Sequence, residues 1–397
     1  MSNGRSSRPP WLILFIVLLA SVTASMSQFK VPPVLPLLME AFSEAPGSAG
    51  LLMSLFALTG LFMAIPSGMI LQRWGYAATG LTAISCLVLG AGVGALSKGT
   101  GIMLASRFIE GAGMSLMAVL APAIIALWFA EERRGRAMGI WSVWLPLGST
   151  IMFLIAPLLA AYWGWRGVWW FGFFSTLAVG IFFYLFIASN PRPHSDPGNP
   201  SPANGLMGAG FRAVLRNRDL WLISLLFGCF NFVFVGFITW APTFLGQGRH
   251  VSMAHAALLV SLTTIVSMAA GPTAGWISDR IGSRKGICDI PPILMGFLFP
   301  LSFSAGESLF FLLAIAIGFL AGFVPTSVFS AGVEVVGDEQ LAGMAMAVIQ
   351  IGQNSGMILG PLILGWVVES FGWQTAFWSL APVSVLGSIS AWAARIK

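Results

Sequence analysis

Twelve stretches of this chain are each long and apolar enough to cross a lipid bilayer, and nothing constrains its fold more. They run over 11–39, 47–71, 76–96, 101–129, 136–162, 167–189, 219–245, 253–278, 286–305, 307–331, 341–368 and 373–394. A crossing needs about 20 apolar residues. Inside lipid every backbone N–H and C=O must be satisfied by the protein itself, so successive spans of this kind fold as helices. Composition agrees. Only 9% of residues are charged and 57% are hydrophobic, whereas a soluble domain carries about 25% charged residues. A water-soluble globule is excluded, and the expected fold class is an all-α membrane protein with 12 transmembrane helices.

The net charge of +6 matters less than where the charges stand. If the N-terminus lies inside, the inner segments hold fifteen Lys and Arg, among them Arg73, Arg133, Arg134, Arg136, Arg280, Arg284 and Lys285, and the outer loops hold Lys98, Arg166 and Arg249. Such a bias is a topology signal and places both termini in the cytoplasm. It also accounts for the basic charge without nucleic acid. Arg5 and Arg8 before an apolar run resemble the start of a signal peptide, but the run continues to about Met39 and is too long for one. We expect a retained first helix.

Residues 190–217 form the one long polar segment, and Pro191, Pro193, Pro197, Pro200 and Pro202 prevent a continuous helix through its first half. It joins spans 6 and 7, so the expected organisation is an N-terminal six-helix bundle over 1–189, a cytoplasmic linker over 190–217 and a C-terminal six-helix bundle over 218–397. The halves are related. Shifted by 207 positions, 49–75 falls on 256–282, with Ala49, Leu51, Leu52, Ser54, Leu55, Gly68, Ile70, Arg73 and Gly75 meeting identical residues. A shift of 208 sets Gly135, Gly148 and Gly164-Trp165 on Gly343, Gly356 and Gly372-Trp373. An internal repeat of this kind predicts two pseudo-symmetric bundles with a site between them near the midplane.

Charged residues within spans are candidates for function, because an ionised side chain in the hydrocarbon costs roughly 2.5–3.5 kcal/mol. Lys30 lies in span 1, close to Pro32, Pro33 and Pro36, whose breaks free backbone groups that must be buried or line a cavity. With Gln28 it is a candidate contact for a small anion. The alternative is a lysine that reaches the outer interface beside Glu40 and Glu44. Arg107 and Glu110 are neighbours on one helix face. They serve either proton coupling, with Glu110 taking a proton and releasing Arg107, or a permanent structural pair. Gln350, Gln353 and Asn354 share a face of span 11, and Asn231 lies in span 7, so these amides either line a pore or bond between helices. Tryptophans such as Trp163, Trp165, Trp169 and Trp170 suit an interfacial belt. Cys86, Cys229 and Cys288 are odd in number and do not suggest a disulfide framework. No spacing suggests a metal, and no cofactor is expected.

Three stretches carry a resemblance to the major facilitator superfamily that covers nearly the whole chain. Gly275-Trp-Ile-Ser-Asp279-Arg280-Ile-Gly282-Ser-Arg284-Lys285 resembles the family's G-x-x-x-D-R-x-G-R-K loop. Gly68-Met-Ile-Leu-Gln72-Arg73-Trp-Gly75 is its degenerate copy, with Gln72 in place of the Asp. Arg107-Phe-Ile-Glu110-Gly111-Ala-Gly113 resembles the R-x-x-x-G-x-G pattern of span 4. The resemblance implies that Asp279 with Arg280 latches one gate, with Glu334 a candidate partner of the basic loop. Span 1, Gln28-Phe-Lys30-Val-Pro32-Pro33, is similar to that of small-anion and organic-anion porters of the family, whose basic residue faces the anion.

The expected function is secondary active transport of a small solute, an organic or inorganic anion, coupled to protons or driven by exchange. The expected setting is a bacterial inner membrane and the expected state a monomer. Proton-driven efflux of hydrophobic or cationic compounds is the alternative, and a non-transporting membrane sensor a remote one. The chain has no G-x-x-x-x-G-K-[ST] loop for a nucleotide and no zinc-protease or nucleophile-elbow motif, so an enzyme is not expected.

Overall fold

The computed structural model describes residues 9–189, 214–281, 285–304, 306–336 and 342–395. Span 1 is α1 (Pro10–Phe29), a 3-10 turn (Pro32–Val34) and α2 (Leu35–Phe42). Then come α3 (Pro46–Ala49), α4 (Leu51–Ala95), α5 (Thr100–Trp128), α6 (Glu131–Trp141) and α7 (Trp144–Phe183). The second half holds α8 (Arg218–Thr243), α9 (Met253–Ile281), α10 (Lys285–Ser304), α11 (Glu307–Val336), α12 (Ala342–Trp378) and α13 (Leu380–Ala393).

Three of these helices are too long to be single crossings. Each is interrupted by one glycine in the left-handed region: Gly75 (φ 73°) in α4, Gly164 (φ 65°) in α7 and Gly372 (φ 79°) in α12. A side chain there would be strained, and glycine is not. All three fall in the gaps between the expected spans. Gly164 and Gly372 are also a pair in the internal repeat, so the same turn is made twice. Nine stretches of the described helices are apolar and long enough to cross a membrane. One of them, Glu132–Ala188, is divided by Gly164 into two spans, and shorter apolar helices over Asp289–Ser304 and Leu380–Ala393 complete the twelve. The protein is an all-α, multi-pass membrane protein of two pseudo-symmetric six-helix bundles.

Small residues set the helix spacing identically in both halves. A Cβ on Gly111 of α5 would sit 2.7 Å from the Phe56 carbonyl oxygen, and one on Gly318 of α11 would sit 2.5 Å from that of Thr263. Both pairs are 207 positions apart. Gly148 of α7 lies against Val22 and Ser25 of α1, and its repeat partner Gly356 of α12 lies against Gly228 and Asn231 of α8. Close approach of this kind replaces the hydrophobic effect as the source of packing in lipid.

One end of the molecule carries Trp11 against Phe129 (ring centroids 5.1 Å) and Tyr76 against Trp128 (5.2 Å), with Ile187, near the end of span 6, packed in the same apolar cluster. We call it the linker end. The opposite end carries Phe42 against Trp165 (5.3 Å) and the bond from Arg166 to the Ser97 carbonyl (3.0 Å). The halves meet at this far end. The Gly47 N–H donates to Glu369 (2.9 Å), Gly50 lies on the Pro361 carbonyl, and the Ser54 hydroxyl donates to the Ile358 carbonyl (2.6 Å). Deeper in, the Thr150 and Thr264 hydroxyls bond at 2.9 Å. At the linker end a Cβ on Gly68, Gly135 or Gly139 would find none of the described residues within 4 Å. Among the described residues, the hydrogen bonds between the halves lie at the far end and midway.

Candidate functional site

The site begins where α1 stops. Pro32 has no N–H to offer the Gln28 carbonyl four residues earlier, so the helix tightens into the 3-10 turn and that oxygen loses its intrahelical partner. Arg107 of α5 takes its place. Its guanidinium donates to the Gln28 carbonyl (3.1 Å), the Ser27 carbonyl (2.6 Å) and, from Nε, the Leu52 carbonyl of α4 (3.0 Å). The guanidinium also lies over the Phe56 ring, 4.5 Å from its centroid. The proline break in span 1 and the arginine in span 4 are therefore one device.

Glu110, one turn along α5, joins the cations. Its Oε2 pairs with Arg107 (2.5 Å) and its Oε1 with the Lys30 ammonium. The ammonium rests on the Trp169 ring, 4.6 Å from the centroid, with Gly172 beneath it. Gly90 of α4 makes room for the carboxylate, since a Cβ there would come within 2.5 Å of the Glu110 Cγ. Lys30, Arg107, Glu110 and Trp169 are all at 0% exposure. Two cations and one carboxylate thus form a sealed cluster of net charge +1. Burial of each ion costs several kcal/mol, which only close pairing and further hydrogen bonds offset. Around the cluster, the Ser27 hydroxyl, the Gln28 side-chain oxygen and the Trp169 indole N–H are buried with no hydrogen-bond partner among the described residues.

Several expectations need correction. Lys30 neither reaches the outer interface nor stands open to a cavity, because Glu110 and Trp169 hold it inside the N-terminal bundle. Glu44 instead bonds Ser48 and Thr100. Lys30 and the Arg107–Glu110 pair, treated as separate in the sequence, are a single constellation. Trp169, assigned to an interfacial belt, is wholly buried, while Trp163 of the same group is 68% exposed. Asn231 is buried, donates to the Phe227 carbonyl of its own helix (2.8 Å), and its Cβ lies against Gly356 of α12.

The span 11 amides lie apart from the cluster. Gln350 is exposed, and Gln353 and Asn354 are half-buried. Asn354 donates to the Gln350 carbonyl (2.9 Å), and its side-chain oxygen faces Gly60 of the opposite half. Of the gating residues, Arg73 and Arg280 are exposed and Glu334 half-buried. Gly282 and Arg284, with Gly275 and the Asp279 side chain, lie outside the described residues.

Comparisons with known proteins agree with this architecture. The family model of the Major Facilitator Superfamily matches residues 17–342 and 293–396. The chain is similar to the hexuronate transporter of Bacillus subtilis (strain 168), at 20% identity over 95% of this chain and 93% of that protein. It is also similar to the probable sulfoacetate transporter of Cupriavidus necator, at 23% identity over 91% and 88%, and to the probable galactarate/D-glucarate transporter of Escherichia coli (strain K12), at 25% identity over 82% and 80%. Among solved structures, a bacterial homologue of the human lysosomal transporter Spinster, inward-facing and unoccupied, superimposes with a TM-score of 0.81 at 18% identity, over 98% of this chain and 95% of that one. With twelve helices in two repeated bundles and a family match running nearly from end to end, the chain belongs to the major facilitator superfamily.

Proposed function

We propose that the protein is a secondary transporter of a small carboxylate or related anion, and that the substrate competes with Glu110 for Lys30 and Arg107. The observation that carries this reading is the buried cluster of two cations bridged by one carboxylate. A substrate anion offers the same group as Glu110 does. It displaces Glu110 most readily once that carboxyl has taken a proton. Binding one monoanion and one proton together leaves the cluster at +1, and a dianion with one proton brings it to zero, so neither loaded form adds net buried charge. This favours proton–anion symport. The relatives named for hexuronate, sulfoacetate and galactarate/D-glucarate transport support an anionic cargo.

Alternating access follows from rocking of the two bundles, 1–189 and 218–397, about the central site, with 190–217 as the tether. The far-end contacts make this the state open toward the linker end. With the termini cytoplasmic, that side is the inside of a bacterial plasma membrane, and the basic loop from Asp279 to Lys285, with Glu334, closes it in the opposite state. The working unit is a monomer.

Uptake of radiolabelled D-glucuronate, D-glucarate and sulfoacetate into proteoliposomes tests the reading. We expect uptake of at least one anion, its loss in Lys30→Ala, and in Glu110→Gln a rate that no longer responds to an imposed proton gradient. Wild-type uptake by Lys30→Ala would overturn the assignment of the site. Glu110-dependent efflux of ethidium in place of anion uptake would overturn the assignment of the cargo.

A further inference from the structure

We propose that Trp169 is a positioning residue that holds the Lys30 ammonium charged and in place for the anion without cancelling its charge. This deepens the proposed anion site and rests on that reading. A second carboxylate would be the ordinary way to keep a second buried cation, and the cluster has none among the described residues. Lys30 meets Glu110 on one side and the face of Trp169 on another. An indole face attracts an ammonium through its quadrupole, more strongly where water is excluded, yet it carries no net charge. The cluster therefore keeps its +1, which a second acid would have removed along with the reason for an anion to bind.

The ring is fixed more firmly than the lysine. Trp169 is fully buried and meets Trp165 edge-on at 5.6 Å, and Trp165 in turn lies against Phe42. On its other side the indole presses on Gly94, where a Cβ would overlap it. The lysine stem is buried too, but it has four rotatable bonds against two for the indole. The rigid plane thus sets where the ammonium sits when Glu110 lets go of it.

Replacing Trp169 by tryptophans of increasing fluorination tests this, because the shape is kept while the negative face is weakened. Uptake kinetics are measured with whichever of the three anions the wild type carries. We expect KM to rise stepwise, on the order of tenfold across the series, with the maximal rate little changed. The same series at Trp165, whose ring carries the Arg166 guanidinium (4.4 Å from the centroid) and not the ammonium, should show no trend in KM. A flat series at Trp169, or an equal trend at Trp165, would overturn the proposal. A stability measurement needs no substrate: fluorination at Trp169 should lower the unfolding midpoint when Lys30 is present and leave it unmoved in Lys30→Met. Equal lowering in both backgrounds would also overturn it. Normal uptake by Lys30→Ala would remove the anion site instead, and the stability series would still decide the contact.

Discussion

Gly111 in the first half and Gly318 in the second rest on the carbonyls of Phe56 and Thr263, and each member of one pair is 207 positions from its counterpart in the other. One turn away the halves part company. At the same shift Arg107 corresponds to Ala314, Glu110 to Ile317 and Lys30 to Phe237, and all six are at 0% exposure. Phe237 lies against Phe299 (4.8 Å), Phe303 (5.8 Å) and Phe310 (6.4 Å). The same location encloses ions in one bundle and an aromatic block in the other. The second half shows that this frame closes around apolar side chains alone. The Lys30–Glu110 pair is therefore not a requirement of the frame, and its burial cost calls for a functional explanation, whereas Arg107 also answers the backbone break at Pro32, a position that Thr239 fills in the second half.

The sharpest way to break this comparison is to remove the acid. Glu110→Ala leaves two buried cations without a counter-charge, and breaking a buried pair in this way costs about 3–5 kcal/mol. We expect a large fall in the thermal unfolding midpoint in detergent. The combined variant Lys30→Met, Arg107→Met, Glu110→Leu makes the first half resemble the second. Replacing buried ions by well-packed apolar groups is often neutral or stabilising by about 1–4 kcal/mol. It should recover much of the midpoint lost in Glu110→Ala, short of the wild type by the Gln28, Ser27 and Leu52 carbonyls that Arg107 no longer bonds, while anion uptake stays absent. A triple variant as unstable as Glu110→Ala would show that the halves are not interchangeable frames.

Next in size are the glycines that make the halves alike. Gly111→Ala and Gly318→Ala each drive a Cβ into a backbone carbonyl, and overpacking of this kind costs about 1–3 kcal/mol. The two changes sit in different bundles, share no partner and should add. Unfolding midpoints of the two single variants and the double one measure this. A tolerated substitution in one half only would mean that the repeat in sequence is not a repeat in packing.

Much of this frame was legible in the sequence because its signals are local or periodic. Span length read off the helices, whereas Gly75, Gly164 and Gly372 entered as members of the internal repeat and not as turns, although a left-handed turn favours glycine whatever surrounds it. The shift of 207 to 208 read off the pairing of halves. The cluster was legible only in pieces. Arg107 and Glu110 are one turn apart on one helix, so their contact follows from helix geometry. Lys30 is 80 positions from Glu110, and what joins them is the Pro32 break, which frees the carbonyl that anchors Arg107. That link depends on which helices pack together, and the order of spans does not state it. Trp169 was misplaced for a related reason. Composition puts tryptophan at interfaces, whereas the notch at Gly94 of α4 receives this one inside the bundle.

The far end offers a smaller test, of how the halves hold each other. Span 2 starts at α3 after Ala45, which has no side-chain group to cap the helix. The Gly47 N–H is capped from the other half by Glu369 (2.9 Å). Loss of a cap costs about 0.5–2 kcal/mol, at the low end for an exposed group. Because this bond exists only with the far end closed, Glu369→Ala should move the population toward the opposite state by about twofold. Distances between spin labels on the two bundles read that shift. Unchanged distributions would make the contact incidental.

Glu44 provides the contrast, because its bonds stay within one half. Hydrogen bonds from Ser48 and from Thr100 hold its carboxyl below the ordinary value of 4.5. A carboxyl with a depressed folded value adds stability that is fully present above pH 4.5 and is lost as the pH falls from there through the folded value. The group is largely exposed, so solvent screens most of the effect. Ser48→Ala together with Thr100→Val should flatten only the acid limb of stability against pH. It should leave the balance between open and closed states at neutral pH untouched, since neither bond crosses between the halves. A shift in the spin-label distances of that variant would mean that the loop from Phe42 to Pro46 takes part in the far-end gate, and that the division between internal and crossing contacts fails there.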